Sequence, residues 1–235
     1  MQRPFNFQRW IDMNRDLLKP PVGNKSLFDQ GGMIVQVVGG PNQRVDFHDD
    51  PGDEFFYQLR GDMVLKVVEE GVIRDIPIRA GEVFLLPAHV RHSPQRPVPD
   101  SVGLVVENER RPGDLDGFEW FCFGCGTLLH RVEISVADIV KDLPPLFAAF
   151  YANVSARTCR KCGSIHPGKE PPPNWVTLPG SSVKTLRMHV GPRACSAVAS
   201  FRTLIASGRN VATAAAPPRV SALPAGFSEA NSRQP

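Results

Sequence analysis

Short, mostly apolar segments recur along residues 33–107, and each is separated from the next by Gly, Pro, Asn or Asp. Their length and β-branched content are typical of strands, and turn sequences such as Glu70-Gly71 lie between them. We predict strands at 33–38, 44–48, 54–60, 62–68, 72–78, 83–87 and 102–107, with two more at 118–121 and 129–134. Strands that repeat at this spacing predict an all-β barrel or sandwich.

Two helices are expected to flank the strands. Residues 7–18 place apolar side chains on one face of a 3.6-residue period, and Asn6 is the expected N-cap. Residues 135–153 also look helical. Pro144 and Pro145 should interrupt that second helix, because proline cannot donate the helical hydrogen bond.

The sequence gives no indication of a membrane or a secreted environment. No apolar run reaches the length of a membrane span, and the N-terminal sequence MQRPFNFQRW lacks the order of a signal peptide. Four of the five cysteines form C-x-x-C pairs, which in a reducing compartment indicate a metal site before a disulfide. We therefore expect a cytoplasmic protein with no membrane partner.

The last part of the chain differs in composition from the rest. Residues 171–235 are rich in Ala, Ser, Pro and Arg without a sustained period, which predicts a disordered tail. This tail has seven basic residues and one acidic residue, a net charge of +6. Since the whole chain carries +3, residues 1–170 carry −3 by difference. A mildly acidic main body argues against nucleic-acid binding.

Two segments carry metal-ligating side chains in a recurring order. The first, residues 45–61, contains His48 and Glu54, and the second, residues 81–92, ends at His92. In order and spacing the two segments resemble the paired motifs of the cupin superfamily, which implies a double-stranded β-helix, or jelly-roll, barrel. Two imidazoles and one carboxylate form a facial triad that leaves positions open on a non-haem Fe(II). Ligand type alone does not distinguish iron from zinc or manganese at this site.

The first segment departs from the common cupin pattern at one position. Many cupins have a second histidine two residues after the first, whereas this chain has Asp50. We therefore expect three protein ligands, with Asp50 either beside them or in an exposed loop. His89 is also near the second motif, and we interpret it as a surface or packed residue.

Longer strings make the resemblance more specific. The strings HVRHSPQRP (89–97) and LDGFEW (115–120), with VVGGPN (37–42), are similar to the 3-hydroxyanthranilate 3,4-dioxygenase family. The similarity covers roughly residues 4–170. It implies that 3-hydroxyanthranilate and O2 are converted to 2-amino-3-carboxymuconate 6-semialdehyde, the precursor of quinolinate in the kynurenine pathway and in NAD biosynthesis. It also implies a homodimer.

The resemblance also implies roles for individual residues. The iron ligands fall on His48, Glu54 and His92, and the other pocket residues fall on Arg44, Arg96 and Glu107. Arg96 is expected to bind the substrate carboxylate through two parallel hydrogen bonds, and Glu107 to accept from the amine. Arg44 is the expected catalytic residue toward O2, where it stabilises negative charge. Glu54 is expected to act in catalysis and to contact substrate as well as metal.

A second metal site is predicted by the two cysteine pairs. Cys122 and Cys125 form the first pair, and Cys159 and Cys162 form the second. Four thiolates suit a tetrahedral zinc or a rubredoxin-like iron. Because such a site is closed, we expect it to anchor the C-terminal extension and to have no catalytic role.

The predicted organisation is a cupin barrel with an N-terminal helix at 1–115, an extension with the four-cysteine site at 116–170, and the tail at 171–235. Three alternative functions stay open from the residues. The chain could be a related dioxygenase for another aminophenol or catechol, a non-oxygenase cupin such as an isomerase or a binding barrel, or a zinc ribbon for nucleic acid. The two arginines beside the metal ligands favour the oxygenase over a binding barrel, and the acidic body disfavours the zinc ribbon.

Overall fold

Strands dominate the structure, a computed structural model that describes residues 3–20, 23–137, 139–176 and 178. The strands are β1 (Asn24–Ser26), β2 (Met33–Gly39), β3 (Asp46–Asp49), β4 (Glu54–Arg60), β5 (Met63–Glu69), β6 (Val72–Ile78), β7 (Val83–Leu86), β8 (His92–Gln95), β9 (Val102–Asn108), β10 (Asp116–Phe121) and β11 (Leu128–Ile134). The helices are α1 (Phe7–Met13), α2 (Ile139–Ala152) and α3 (Val154–Arg157), with a 3-10 helix at Arg15–Leu18. No helix in the described ranges is long and apolar enough to span a membrane.

The strands form two antiparallel sheets that enclose an apolar core. One sheet has the order β1-β2-β9-β4-β7, and the other has the order β11-β10-β3-β8-β5-β6. Buried side chains from both sheets meet between them, including Phe56 and Leu86 from the first sheet and Met63 and Leu65 from the second. The prediction of an all-β fold whose strands enclose an apolar core, with a few flanking helices, is confirmed.

Sequence alternation located most strands well. β4 and β6 have the predicted bounds, and the other predicted strands differ by a few residues at their ends. β1 and β8 were not predicted. β8 is four residues long and contains Pro94, so it offers neither a clear alternation nor a strong strand propensity.

The two predicted helices differ from expectation. The side chain of Asn6 caps α1, accepting a hydrogen bond from the Arg9 amide at 2.8 Å, but α1 ends at Met13 and a 3-10 helix follows. The predicted interruption at Pro144 and Pro145 is wrong, because α2 runs through both prolines. Packing outweighs the lost hydrogen bonds: the apolar side chains of α2 cover buried residues of the barrel. These α2 side chains are Leu143, Leu146, Phe147, Phe150 and Tyr151, and they pack against Val45, Phe118 and Trp120.

The ordered chain extends beyond the predicted start of the tail at residue 171. Trp175 is only 2% exposed and packs with Phe47 and Phe121 in a buried cluster. The boundary at 171 is therefore too early. The rest of the predicted tail, residue 177 and residues 179–235, lies outside the described residues.

Candidate active site

The three predicted metal-ligating side chains meet between the sheets. His48 on β3 and His92 on β8 are direct register partners, whereas Glu54 begins β4 in the opposite sheet. Oε1 of Glu54 lies 2.8 Å from Nε2 of His92 and 3.5 Å from Nδ1 of His48. One donor atom from each residue lies within 4.8 Å of the others, so the group can hold a metal ion.

A bound divalent metal explains the positions of these donor atoms better than hydrogen bonds among them do. Oε1 of Glu54 is buried and, among the described residues, has no aligned hydrogen bond, although Nε2 of His92 is close. Nδ1 of His92 lies 2.9 Å from the Val90 carbonyl oxygen, which fixes the ring with Nε2 toward Glu54. Two imidazole nitrogens and a carboxylate oxygen are a ligand set of non-haem metal enzymes.

The electrostatics of the triad favour positive charge. Burial disfavours a charged Glu54, but His92 and His48 outweigh that effect and lower the pKa of Glu54 below its ordinary value. Burial also opposes a charged His48, yet the carboxylates of Asp116 and Glu54 beside the ring raise the pKa of His48 to about 10. A bound cation would satisfy the same carboxylates.

A network of charged side chains contacts the triad through His48. Oδ1 of Asp116 lies 2.7 Å from Nε2 of His48, and Arg110 donates to Asp116 at 2.6 Å through Nη2. The same guanidinium donates to Asp50 at 2.6 Å and to Glu107 at 3.0 Å. Asp50 is 1% exposed, so the exposed-loop interpretation of this residue is wrong.

Sequence reasoning missed two members of this network, Asp116 and Arg110. Asp116 belongs to the string LDGFEW, so the family resemblance marked its neighbourhood without giving it a role. Arg110 stands in the charged stretch ENERRP (107–112), and nothing local distinguishes it from a surface arginine. Its function as a bridge depends on tertiary contacts with three carboxylates.

Arg96 directs to the same cavity a guanidinium that has no carboxylate partner among the described residues. It is 3% exposed and lines the cavity with the triad. Within the described chain, Nε and Nη2 of Arg96 have no hydrogen-bond partner. Burial and the nearby Arg44 lower the pKa of Arg96 to about 10, so the group stays cationic at neutral pH. Gly103 makes room for it, because a Cβ at that position would lie 3.1 Å from Nη2.

Arg44 and Glu107 line the same cavity but already have charged partners. Arg44 forms a bidentate pair with Asp46 through Nε and Nη2. Glu107 is the register partner of Glu54, and its Oε2 lies 3.0 Å from Nη1 of Arg110. Burial and the neighbouring Glu54 raise the pKa of Glu107 to about 8. Arg44, Arg96 and Glu107 are therefore brought together with the triad.

The remaining walls of the cavity are largely apolar. Val38, Phe56, Val105 and Phe118 line it from the barrel strands, and Val136, Ile139 and Leu143 line it from the C-terminal extension. Such a pocket, with a few convergent charged groups, suits a flat aromatic molecule that carries polar substituents. His89 lies outside this site: its side chain is 59% exposed, and its Nδ1 is 3.2 Å from Asp49.

Comparisons with known proteins place the chain among enzymes of one family. Residues 1–151 match the family model described as 3-hydroxyanthranilic acid dioxygenase. The 3-hydroxyanthranilate 3,4-dioxygenase of Shewanella woodyi is 62% identical over 174 residues, which cover 74% of this chain and 92% of that protein. The enzyme of the same name from Ruegeria pomeroyi is also 62% identical, with 74% and 97% covered.

The chain belongs to the 3-hydroxyanthranilic acid dioxygenase family. Membership confirms the predicted enzyme class, a ring-opening dioxygenase that incorporates O2, and it implies a non-haem metal site. Among solved structures, a cupin-2 domain containing protein from Shewanella frigidimarina matches with a TM-score of 0.35 and 17% identity, covering 45% of this chain and 94% of that chain.

This member of the dioxygenase family has a second metal-ligating group. The four sulfur atoms of Cys122, Cys125, Cys159 and Cys162 lie within 4.8 Å of one another. Backbone N–H groups close both knuckles, with Gly126 donating to Cys122 at 2.7 Å and Gly163 donating to Cys159 at 2.9 Å. Four converging sulfur atoms suit a closed tetrahedral metal site.

Proposed function

We propose that the enzyme opens the ring of 3-hydroxyanthranilate with O2 and releases 2-amino-3-carboxymuconate 6-semialdehyde. The observation that carries this proposal is the buried guanidinium of Arg96, whose Nε and Nη2 have no hydrogen-bond partner among the described residues, in the cavity that holds the triad. An unpaired buried cation is costly unless a ligand brings an anion. 3-Hydroxyanthranilate carries a carboxylate beside its amine and phenol, whereas 2-aminophenol and catechol have none.

His48, Glu54 and His92 are the proposed ligands of the catalytic metal, which we propose is Fe(II). The ion, when bound, supplies the redox chemistry that allows O2 to react with an aromatic ring. The triad would hold it between the sheets, at the inner end of the cavity that the charged and apolar side chains line. The side chains of the pocket then have to bind the substrate, orient it and stabilise the charge that develops on it.

The proposed substrate-binding residues divide the ring substituents between them. Arg96 binds the carboxylate through Nε and Nη2, the two nitrogens that have no partner in the described chain. Glu107 accepts from the amine, and Arg110 holds Glu107 in place through Nη1. Glu54 contacts the substrate as well as the metal. These contacts orient the ring in a single direction.

Arg44 is the proposed residue for charge stabilisation toward O2. Its pairing with Asp46 fixes the guanidinium at the wall of the cavity, and Phe147 lies beside it with the ring centroid 5.8 Å from Cζ. Negative charge that develops on oxygen during the reaction would be stabilised by this fixed cation. The pair with Asp46 and the contact with Phe147 supply the preorganisation that such stabilisation requires.

We propose zinc or a rubredoxin-like iron at the four-cysteine site and a homodimer as the assembly. The outer face of the β1-β2-β9-β4-β7 sheet supports a dimer. Val83 and Leu85 on its edge strand are 60% and 59% exposed, and their register partners Tyr57 and Phe55 continue the apolar surface. Exposed apolar patches of this kind mark protein interfaces.

The decisive test is turnover by protein loaded with Fe(II) under anaerobic conditions. With 3-hydroxyanthranilate present, admission of air should produce the absorbance of the semialdehyde, and His92→Ala should abolish it. His89→Ala is the matched control, because His89 is exposed and outside the cavity, and it should retain turnover. Absence of product from folded, loaded protein would reject this substrate and favour another aminophenol or a catechol.

A further inference from the structure

Trp175 joins the C-terminal segment to the barrel beside the active site. It lies 13 residues after Cys162 and is 2% exposed. Its ring is 4.9 Å from the ring of Phe123, which stands inside the first cysteine knuckle. On its other side, Nζ of Lys66 lies 4.4 Å from the indole centroid. The indole is therefore fixed between the four-cysteine extension and strand β5.

The polar edge of this indole is directed at Arg44. Nε1 of Trp175 donates to the carbonyl oxygen of Arg44 at 2.7 Å. Gln95 holds the same residue from the other side, since its Oε1 accepts from the Arg44 amide at 3.1 Å and its Nε2 donates to the Arg44 carbonyl at 3.0 Å. The Arg44 carbonyl thus receives two donors, as many as its lone pairs allow.

Arg44 depends on these contacts because no strand holds it. β3 begins two residues later, at Asp46, so the side chains of Gln95 and Trp175 take the place of ladder hydrogen bonds at Arg44. The direction of a side chain follows the position of its backbone. Release of the carbonyl would let the Arg44 guanidinium move relative to the cavity that it lines.

We propose that Trp175 is a positioning residue for Arg44, so that efficient ring opening requires the segment after the four-cysteine site to be docked on the barrel. This inference rests on the proposed function of Arg44. It assigns a role in the reaction to a side chain that does not line the cavity. Trp175 acts through the Arg44 backbone, and the four-cysteine extension acts through Phe123 and Trp175.

The test compares Trp175→Phe with the wild type at equal Fe content, using kcat, KM and the anaerobic dissociation constant for 3-hydroxyanthranilate. Phenylalanine keeps an aromatic ring in the cluster and removes the N–H donor. We expect kcat to fall about two- to tenfold, the range for one lost neutral hydrogen bond, with KM changed by less than about twofold. Trp10→Phe is the control, because Trp10 packs with Ile11 in the N-terminal cluster.

A double-mutant cycle with Arg44→Gln separates this inference from the proposed function. If Trp175 acts through Arg44, adding Trp175→Phe to Arg44→Gln should lower kcat no further. Unchanged kcat in Arg44→Gln alone would overturn the role of Arg44 and the inference with it. A reduced kcat in Arg44→Gln, with wild-type kcat in Trp175→Phe, would overturn the inference alone.

Loss of stability must be distinguished from loss of positioning. A purely structural role would lower the melting temperature or the metal content of Trp175→Phe and leave kcat per loaded subunit at the wild-type value, which would overturn the inference. If the phenylalanine variant fails to fold, benzothienylalanine at position 175 provides the second variant. It keeps the shape of the indole and replaces the N–H by sulfur, so the same fall in kcat is expected.

Discussion

Asp116 and His48 lie on neighbouring antiparallel strands, and Oδ1 of Asp116 is 2.7 Å from Nε2 of His48. This contact directs the other ring nitrogen, Nδ1, toward Glu54 at 3.5 Å. The His48 ring also stacks on Phe118, with centroids 4.9 Å apart and planes 7° apart. The orientation of this proposed metal ligand is therefore fixed by a carboxylate and by an aromatic face.

Replacement of Asp116 by asparagine is expected to weaken metal binding. The amide keeps the shape of the side chain but loses the charge that orients the His48 imidazole, and such partners are worth about 10- to 100-fold in metal affinity. The measurement is a competition of Fe(II) or Co(II) against a chelator. Asp114→Asn is the control, because Asp114 is a partly exposed turn residue that accepts from the Arg111 amide, and equal weakening in both variants would contradict the prediction.

Replacement of Arg96 by glutamine is expected to affect substrate binding more than chemistry. The lost pair of charged hydrogen bonds should raise the dissociation constant for 3-hydroxyanthranilate about 10- to 100-fold. The enzyme should also lose most of its preference over 2-aminophenol, which lacks the carboxylate. Anaerobic titration of the metal-loaded protein measures both values. If Arg96→Gln retained the preference for 3-hydroxyanthranilate over 2-aminophenol, the carboxylate would have to bind elsewhere in the pocket. Arg79→Gln is the control, because Arg79 is exposed.

Replacement of Cys159 by serine is expected to remove the second metal and to lower the melting temperature, because metal binding at a structural site contributes to folding. A closed four-thiolate site has no open position for substrate, so we expect it to have no direct part in ring opening. We therefore expect kcat per loaded subunit to fall no further than in Trp175→Phe. Metal analysis, calorimetry and turnover of the same preparation test this. A complete loss of turnover in folded, Fe-loaded protein would show that the site does more than anchor the extension.

His166 is expected to make the fold sensitive to mild acid. Burial and the nearby Arg157 lower the pKa of His166 to about 4, and Nδ1 accepts from the Gly168 amide at 3.1 Å. In the unfolded chain His166 takes up a proton near pH 6.5. The stability that neutral, buried His166 contributes is therefore fully present above that pH and is lost as the pH falls toward 4. At pH 5 the loss attributable to this group should be about 1–2 kcal/mol. Urea unfolding of His166→Phe at pH 7 and pH 5 should show a smaller difference than the wild type, and an equal difference would contradict the prediction.

A charge on the exposed apolar sheet face is expected to separate the proposed dimer. Leu85→Lys places an ammonium group in the centre of the surface formed with Val83 and Phe55, where burial of an unpaired charge is strongly unfavourable. Sedimentation analysis should show a dimer for the wild type and a monomer for the variant. Met13→Lys is the control, because Met13 is also apolar and exposed but lies on helix α1. A wild-type monomer at micromolar concentration would reject the dimer.

The sequence predicted the strands because alternation and turn residues are local signals. β4 and β6 have the predicted bounds, whereas β8 is hidden by Pro94 and by its short length. The continuous helix α2 could not be foreseen, because its two prolines are tolerated only in the presence of the packing surface. Composition likewise placed the start of the tail too early, since the burial of one residue, Trp175, holds the segment before it.

The site shows the same division between local and tertiary information. His48, Glu54 and His92 were predicted from two motifs, and the structure brings their donor atoms together. Arg110 was missed because it resembles a surface arginine until three carboxylates from different parts of the chain surround it. A residue whose role is to hold others has no signature of its own in a single sequence.

The triad draws its ligands from both sheets, with two histidines on one and the glutamate on the other. An ion held by all three would act as a cross-link between the two halves of the barrel. Separation of the sheets would then require a metal–ligand bond to break, so opening of the barrel and loss of the ion would become one event. Amide exchange in β3 and β4 should therefore slow together when the ion binds, although the two strands belong to different sheets.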